Sequence, residues 1–358
     1  RDPEYANELS ILKTELGLDM VINPEQAAGI EIARLIKFPP AINVEIFAKG
    51  RVEMVEINVT PDMAIANMQL KNIANQISSS VLIGAVHRGD DIIIPDGEFK
   101  IQEHDTIYII GQPARVFDFC KRIGIHVQRI KNVMIMGGGR IAYYLAQYLD
   151  EMNIKVKIIE IDRERCRELT ELLPHALVIC GDGSDEMLLR SENFSDMGAF
   201  VAVTGRDEDN LISALLAKQH GVKKVVAKVH RMSHSDIIRS MGIDNVVSPK
   251  LITTNYIIRY VRGLKNAMGN PVNALYRIVE NKAEVIELTA VNSVKYIDIP
   301  LKKLNVIKGI LIAAIVRKNE IIIPNGNDVI KPGDNVILIT KDKEITDLDN
   351  IIDAVNKR

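Results

Sequence analysis

Cysteine is scarce in this chain. Three residues of 358, Cys120, Cys166 and Cys180, are odd in number and show no CxxC spacing. Neither a disulfide framework nor a zinc knuckle fits that count, and free thiols suit a reducing cytoplasm. Long apolar runs are missing as well: stretches such as Gly309–Val316 and Ile107–Gly111 fall far below the ~20 residues a membrane-spanning helix needs. Neither sign of charge is in excess, since 45 Lys and Arg face 47 Asp and Glu. Such a balance supplies no field for a phosphate backbone, so nucleic acid is not an expected partner. No basic and then apolar segment opens the chain as a secretion signal would, and the first residue, Arg1 rather than Met, leads us to expect a fragment. The remaining composition, 47% hydrophobic and 26% charged, is that of ordinary globular domains, with room for two to four at roughly 100–200 residues each.

The clearest positive feature is an internal repeat. Val81-Leu-Ile-Gly-Ala-Val-His-Arg88 aligns without a gap on Ile310-Leu-Ile-Ala-Ala-Ile-Val-Arg317, and both copies continue through Ile-Ile-Ile-Pro-x-Gly to Asp105 and Asp334. Each copy reads as strand, polar turn, strand, glycine loop and strand. Upstream, Glu53-x-x-Glu56 and Leu70-Lys71 match Glu284-x-x-Glu287 and Leu301-Lys302. Further upstream, Gly17-Leu-Asp19 through Pro24 matches Gly242-Ile-Asp244 through Pro249. In both copies a proline opens an apolar-periodic segment, residues 24–37 and 249–263, as helices with Pro in the first turn. Between the repeats, apolar runs begin near Val133, Val156, Ala176, Ala199 and Lys224. A pitch of about 20–25 residues is that of strand plus helix, which argues a doubly wound parallel sheet.

The first of these runs carries chemistry. Asn132–Met136 leads into Gly137-Gly138-Gly139-Arg140-Ile141-Ala142, a strand entering GxGxxA and then a helix. Gly137 permits the tight turn, Gly139 lets a pyrophosphate reach the backbone, and Ala142 lets helix and strand pack closely. Glu160, at the end of the next run, suits the hydroxyls of an adenosine ribose and disfavours a 2′-phosphate, so NAD(H) or an adenine nucleotide is preferred to NADP. A solvated strand-end carboxylate is the alternative. Arg140 offers a phosphate fork and Arg163 a cover for adenine or ribose; each has a solvent-facing alternative. Asp182, followed by Gly183, suits an adenine amino group, and Thr204, followed by Gly205, has donors for phosphates, yet both residue types also serve turns and helix caps. Lys228 reaches the phosphates or is simply exposed. His230 and His234 have the four-residue spacing of metal ligands on a helix, but no carboxylate or cysteine nearby completes a site. His87 and His104 have no histidine counterparts in the second repeat.

These motifs together resemble the RCK, or KTN, regulators of potassium channels and transporters, over nearly the whole chain. The resemblance rests on GxGxxA at 137–142, Glu160, Gly181-Asp182, Thr204-Gly-Arg-Asp-Glu-Asp-Asn210 and the two β-rich modules. It implies an α/β fold, a Rossmann-like doubly wound sheet of RCK N-type flanked by two smaller α+β RCK C-type modules. Residues 1–40 would be the C-terminal helices of a truncated first N-type domain, 41–128 the first C-type module, 129–265 the second N-type domain and 266–358 the second C-type module. The implied ligand is NAD(H), with ATP or ADP as alternatives, held by Gly137, Gly138, Gly139, Arg140, Ile141, Glu160, Arg163, Asp182, Gly183, Thr204, Gly205 and Lys228. No catalytic residue and no metal is implied. The implied role is a cytoplasmic regulatory subunit, peripheral at the inner face of the membrane, that self-associates into dimers or tetramers. It would gate an integral membrane potassium-translocating subunit of the TrkH/TrkG kind. The competing reading is an NAD-dependent dehydrogenase with an unrecognised substrate domain; a small β-rich module used twice is a poor source of a proton relay and a carbonyl anchor.

Overall fold

The computed structural model describes residues 18, 20–77, 80–125, 128–230, 238, 241–243, 245–266, 272–278, 282–293, 295–341, 345 and 347–352. The elements, in chain order, are α1 Pro24–Lys37, β1 Asn43–Phe47, β2 Val52–Asn58, α2 Leu70–Gln76, β3 Val81–Arg88, β4 Asp91–Ile93, β5 Thr106–Gly111 and α3 Pro113–Arg122. Then come β6 Asn132–Met136, α4 Arg140–Glu151, β7 Lys155–Glu160, α5 Arg163–Leu172, β8 Leu177–Cys180, α6 Glu186–Ser191, β9 Ala199–Ala202, α7 Asp207–Gln219, β10 Lys224–Lys228 and β11 Asn245–Val247. The last are α8 Pro249–Asn266, β12 Val272–Ile278, β13 Ala283–Thr289, β14 Ile310–Arg317, β15 Glu320–Ile322 and β16 Asn335–Thr340. Two compact units result, residues 1–40 with 128–256 and residues 41–127 with 257–358. Among the described residues no helix is long and apolar enough to cross a membrane.

In the first unit six parallel strands lie in the order β11-β10-β9-β6-β7-β8. Chain order reverses between β6 and β9, the switch point at which open α/β sheets bind ligands. Alternation along each strand splits the core in two. Val133, Ile135, Ile158 and Val201 face a layer containing α1, α4 and α5, while Met134, Met136, Phe200 and Ala202 face α6 and α7. The expected helix at 24–37 forms with Pro24 in its first turn, and Asn23 caps it by accepting from Glu25 N and Gln26 N at 3.2 Å each. Its apolar stripe packs on α4 of this unit. Asn23 Nδ2 donates to the Tyr144 hydroxyl at 2.9 Å, and a Cβ on Gly29 would lie 3.1 Å from Leu145 N.

The second unit holds the repeat as two five-stranded antiparallel sheets of the same order, β1-β2-β5-β3-β4 and β12-β13-β16-β14-β15. Even the irregularity matches: the register slips between Ile83 and Ala85 in one copy and between Ile312 and Ala314 in the other. The two sheets share one core, in which Phe47 meets Tyr276 edge-on at 4.4 Å between ring centroids. Gly84, at the slip, would place a Cβ 2.2 Å from Ile339 Cδ1; the other copy has Ala313 there. The repeated arginines prove structural. Arg88 donates twice to Asp105, both at 2.7 Å, and to the Lys100 carbonyl at 2.8 Å. Arg317 does the same with Asp334, at 3.0 and 2.8 Å, and with Val329. Each aspartate is buried, so the fork supplies the hydrogen bonds its carboxylate lost on leaving water.

Candidate functional site

Strand β6 ends at Met136, and Gly137 turns the chain with φ +98 while its amide still donates to the Ile159 carbonyl at 2.8 Å. A Cβ at Gly137 would also meet Thr204 N at 3.0 Å, so glycine is required on both counts. Gly138 is a packing position, where a Cβ would lie 2.5 Å from Leu169 Cδ1 and 3.0 Å from Glu160 Cβ. Gly139 differs: it is the N-cap of α4, no side chain caps the helix there, and a Cβ on it would meet nothing within 4 Å. Helices α1, α5 and α6 are capped by Asn23, Asp162 and Asp185. The α7 N-terminus also lacks a side-chain cap, but Asp207, Glu208 and Asp209 in its first turn repel an anion. The first turn of α4 has no acid and begins with the exposed Arg140. Its leading amides, Ile141 N among them, therefore face open space at the positive end of the helix dipole. A diphosphate fits that donor set.

Glu160 is tied to the same loop. Its Oε2 accepts from Gly138 N at 2.5 Å and its Oε1 from Asp162 N at 2.8 Å, which fixes the carboxylate and leaves each oxygen a second lone pair for a ribose hydroxyl. Arg163 is exposed at the start of α5. The Ile141 side chain goes into the core, so its backbone is what reaches the opening. Gly205 is open, with nothing within 4 Å of a Cβ, whereas Gly183 is closed by Met136 Cγ at 2.4 Å.

Three expected ligands look different in three dimensions. Thr204 N and Oγ1 both donate to Asn210 Oδ1, at 2.9 and 2.8 Å, so its donors are engaged in holding the end of β9. Asp182 Oδ1 accepts from Ser184 N and Oγ at 2.9 and 2.7 Å. Those bonds, with the charge of Arg206, hold its carboxyl below the usual range against a small opposing effect of burial; it is first a turn residue. Lys228 is 7% exposed, buried rather than out in the cleft. Burial lowers its pKa, opposed by the charges of Asp207 and Glu25. Asp207 is itself pushed up by burial but brought net below its ordinary value by bonds from His230 N and ring, at 2.7 Å each, and by the charges of His230 and Lys228. His230 is thus a partner of Asp207; His234 lies outside the described residues. Among the described residues no three metal-ligating side chains gather.

Two supporting residues were not singled out from sequence. Arg165 Nε donates to the Gly138 carbonyl at 2.9 Å and so holds the loop from α5. Asn210, fully buried, clamps two strand ends, its Nδ2 donating to Thr204 O at 3.2 Å and to Lys228 O at 3.0 Å. A separate concavity at the opposite end of the sheet is lined by Gln147, Asp150, Leu172 and His175. There the Asp150 carboxylate, 2.8 Å from His175 Nδ1, raises the histidine pKa.

A six-stranded parallel sheet with an uncapped glycine-turn helix at its switch point defines a Rossmann-type nucleotide-binding fold, here joined to a duplicated antiparallel module. The TrkA-N domain family matches residues 133–249, and the TrkA-C domain family matches residues 54–124 and 285–353. The chain is 34% identical over 351 residues to the Trk system potassium uptake protein TrkA homolog 2 of Methanosarcina mazei, covering 98% of this chain and 77% of that protein. It belongs to the TrkA family of Trk potassium-uptake proteins. Likeness of fold extends to the GsuK RCK domain, with a TM-score of 0.55 over 94% of this chain and 70% of that one at 17% identity. It extends also to the GsuK channel bound to NAD, with a TM-score of 0.54 over 95% of this chain and 59% of that one at 17% identity.

Proposed function

We propose that this protein senses the nicotinamide nucleotide pool for a potassium-uptake system. The α/β unit takes NAD(H), with ATP or ADP as competitors, along the edge formed by Gly139, Arg140 and Ile141 and by Glu160. The observation that carries the reading is the pairing of the uncapped α4 N-terminus, open at Gly139, with a carboxylate anchored on the adjacent glycine. Diphosphate and ribose have matching receptors one residue apart in the same loop. Support comes from the GsuK channel, a fold neighbour whose structure was solved with NAD, and from relatives named as potassium-uptake proteins rather than dehydrogenases. Bound nucleotide makes or breaks no bond. It favours one arrangement of the domains over another in proportion to its differential affinity for them, and a membrane-embedded potassium-translocating subunit reads that arrangement. Self-association and a cytoplasmic, membrane-peripheral location belong to the same proposal.

Calorimetric titration of the chain with NADH, NAD, ATP and ADP, repeated for Glu160→Ala and Gly139→Asp, tests the site. Saturable binding lost in Gly139→Asp and weakened in Glu160→Ala is expected. Equal affinity in both variants, or steady NADH oxidation with keto acids, would overturn the reading.

A further inference from the structure

Two of the three cysteines, which no motif spacing links, come together where α5 packs on the sheet. The parallel register sets Cys180 of β8 directly beside Glu160 of β7. By alternation both share the face of Ile158 and Val178, which α5 covers through Leu169, with Leu173 just past its end. Cys166 lies one turn before Leu169 on that helix. Its thiol donates at 3.3 Å to the carbonyl of Glu160, the residue that Cys180 faces across the β7–β8 ladder, and Cys180 is among the groups that raise its pKa. Cys166 is buried and Cys180 exposed, the arrangement of a resolving thiol behind an accessible one. Burial, then Cys180 and the neighbouring carboxylates, pushes the Cys166 thiol up to about 11. The third cysteine, Cys120, is buried in the other unit, where burial pushes it to about 12.

We propose that Cys166 and Cys180 form a reversible redox pair at the ribose edge of the nucleotide cleft, closed by exchange with a low-molecular-weight disulfide and weakening nucleotide binding when closed. The Cys180 thiolate attacks one sulfur of the small disulfide, whose S–S bond breaks and releases one thiolate. The Cys166 thiol then gives up its proton to that thiolate, and its sulfur attacks the Cys180 sulfur of the mixed disulfide. The second small thiolate leaves and takes the proton that Cys180 had lost. Two protein thiols are oxidised, and one small disulfide is reduced to two thiols. Because Cys166 ionises with difficulty, the second step quickens as pH rises.

The coupling runs through the first turn of α5. Bonding Cys166 to Cys180 replaces its hydrogen bond to the Glu160 carbonyl and moves that turn. The turn begins at Asp162, whose amide holds Glu160 Oε1, and carries Arg165, which holds the Gly138 carbonyl. Ribose and diphosphate receptors therefore shift together, and by linkage bound nucleotide disfavours the disulfide to the same degree. This coupling rests on the proposed nucleotide site; the thiol pair does not.

The full chain is treated with oxidised glutathione, read by intact mass and peptide mapping, and titrated with NADH in both redox states. The expected result is a mass loss of about 2 Da, a link between the peptides of Cys166 and Cys180, and NADH affinity at least fivefold weaker in the linked form. Cys120→Ser should keep the link. Cys166→Ser and Cys166→Ala should stop at a glutathione adduct on Cys180, and Cys180→Ser should remain unlinked. A wild-type chain that ends as a stable adduct, or stays unmodified, overturns the pair. A link with NADH affinity unchanged overturns the coupling. A link in a chain that binds no NADH even when reduced supports the pair and removes the nucleotide reading instead.

Discussion

One methyl group added at either of two adjacent glycines separates what builds the loop from what the loop binds. At Gly138 the new Cβ would meet Leu169 Cδ1 at 2.5 Å and Glu160 Cβ and Cγ at 3.0 Å. Leu169 is fully buried, and Glu160 is pinned by its 2.5 Å bond from Gly138 N, so neither neighbour yields freely. Overpacking of this kind costs about 1–3 kcal/mol. Displacing the carboxylate adds the lower end of the roughly 1.5–3 kcal/mol of a charged hydrogen bond, because Glu160 keeps partial access to water. Gly138→Ala should therefore lose about 2.5–4.5 kcal/mol in urea unfolding. At Gly139 the added Cβ would meet nothing within 4 Å and the φ of −67 suits alanine. The only structural cost is the N-cap preference for glycine over alanine, up to about 1 kcal/mol. Yet that methyl occupies the opening in front of the α4 amides. NADH affinity in Gly139→Ala should fall at least tenfold, about 1.4 kcal/mol, with the unfolding midpoint little changed. The pair is read by urea melts and calorimetry on the same preparations. Wild-type NADH binding by Gly139→Ala, or wild-type unfolding by Gly138→Ala, would refute the reasoning.

Three further expectations concern the scaffold. Asn210→Ala strands the Thr204 amide and two carbonyls in a buried place, and should lower stability by about 2–3 kcal/mol in chemical denaturation; a loss below about half of that would mean water takes over the bonds. Arg317→Gln should cost about 2 kcal/mol by uncovering Asp334. Arg88→Gln should cost about 0.5–1 kcal/mol more, because Arg88 also stacks 4.8 Å from the Phe99 ring centroid; equal losses would remove any value from that stacking. Asp182 has a folded-state pKa below its unfolded value, so its contribution is present above the unfolded carboxylate range and is lost as pH falls through the lowered folded value. Ser184→Ala removes the hydroxyl bond but keeps the backbone one, and should raise the Asp182 midpoint in an NMR titration and narrow that acid-side window; an unmoved midpoint would assign the shift to the backbone amide at position 184.

Local features of the sequence carry the glycine turn and the strand end beside it, and pairings across long separations are not legible in it. Gly137–Ala142 was legible because strand, turn and helix are contiguous, and Glu160 because a parallel sheet places the next strand end beside that turn. The repeat matches Arg88 with Arg317 and Asp105 with Asp334, but only the folded hairpins show that Arg88 joins Asp105 and Arg317 joins Asp334. Lys228 reads as a strand-end cation; its burial follows from α1 and α7 arriving with Glu25 and Asp207, which no local pattern encodes. Arg165 holds a group on another element, so nothing in its own neighbourhood distinguishes it from a surface residue; Asn210 closes the Thr204–Asn210 motif, but its hold on Lys228 exists only once β9 and β10 lie side by side. Cys166 and Cys180 lack a motif spacing because a helix and a strand, rather than a turn, bring them together.

The close approach of Gly84 to Ile339 bears on how the duplicated halves have aged. Space beside Ile339 is too small for a methyl on the first copy unless that side chain shifts, while the second already carries one at Ala313. The halves are therefore not interchangeable at this point: a second-half sequence placed in the first half's position would bring a methyl against Ile339.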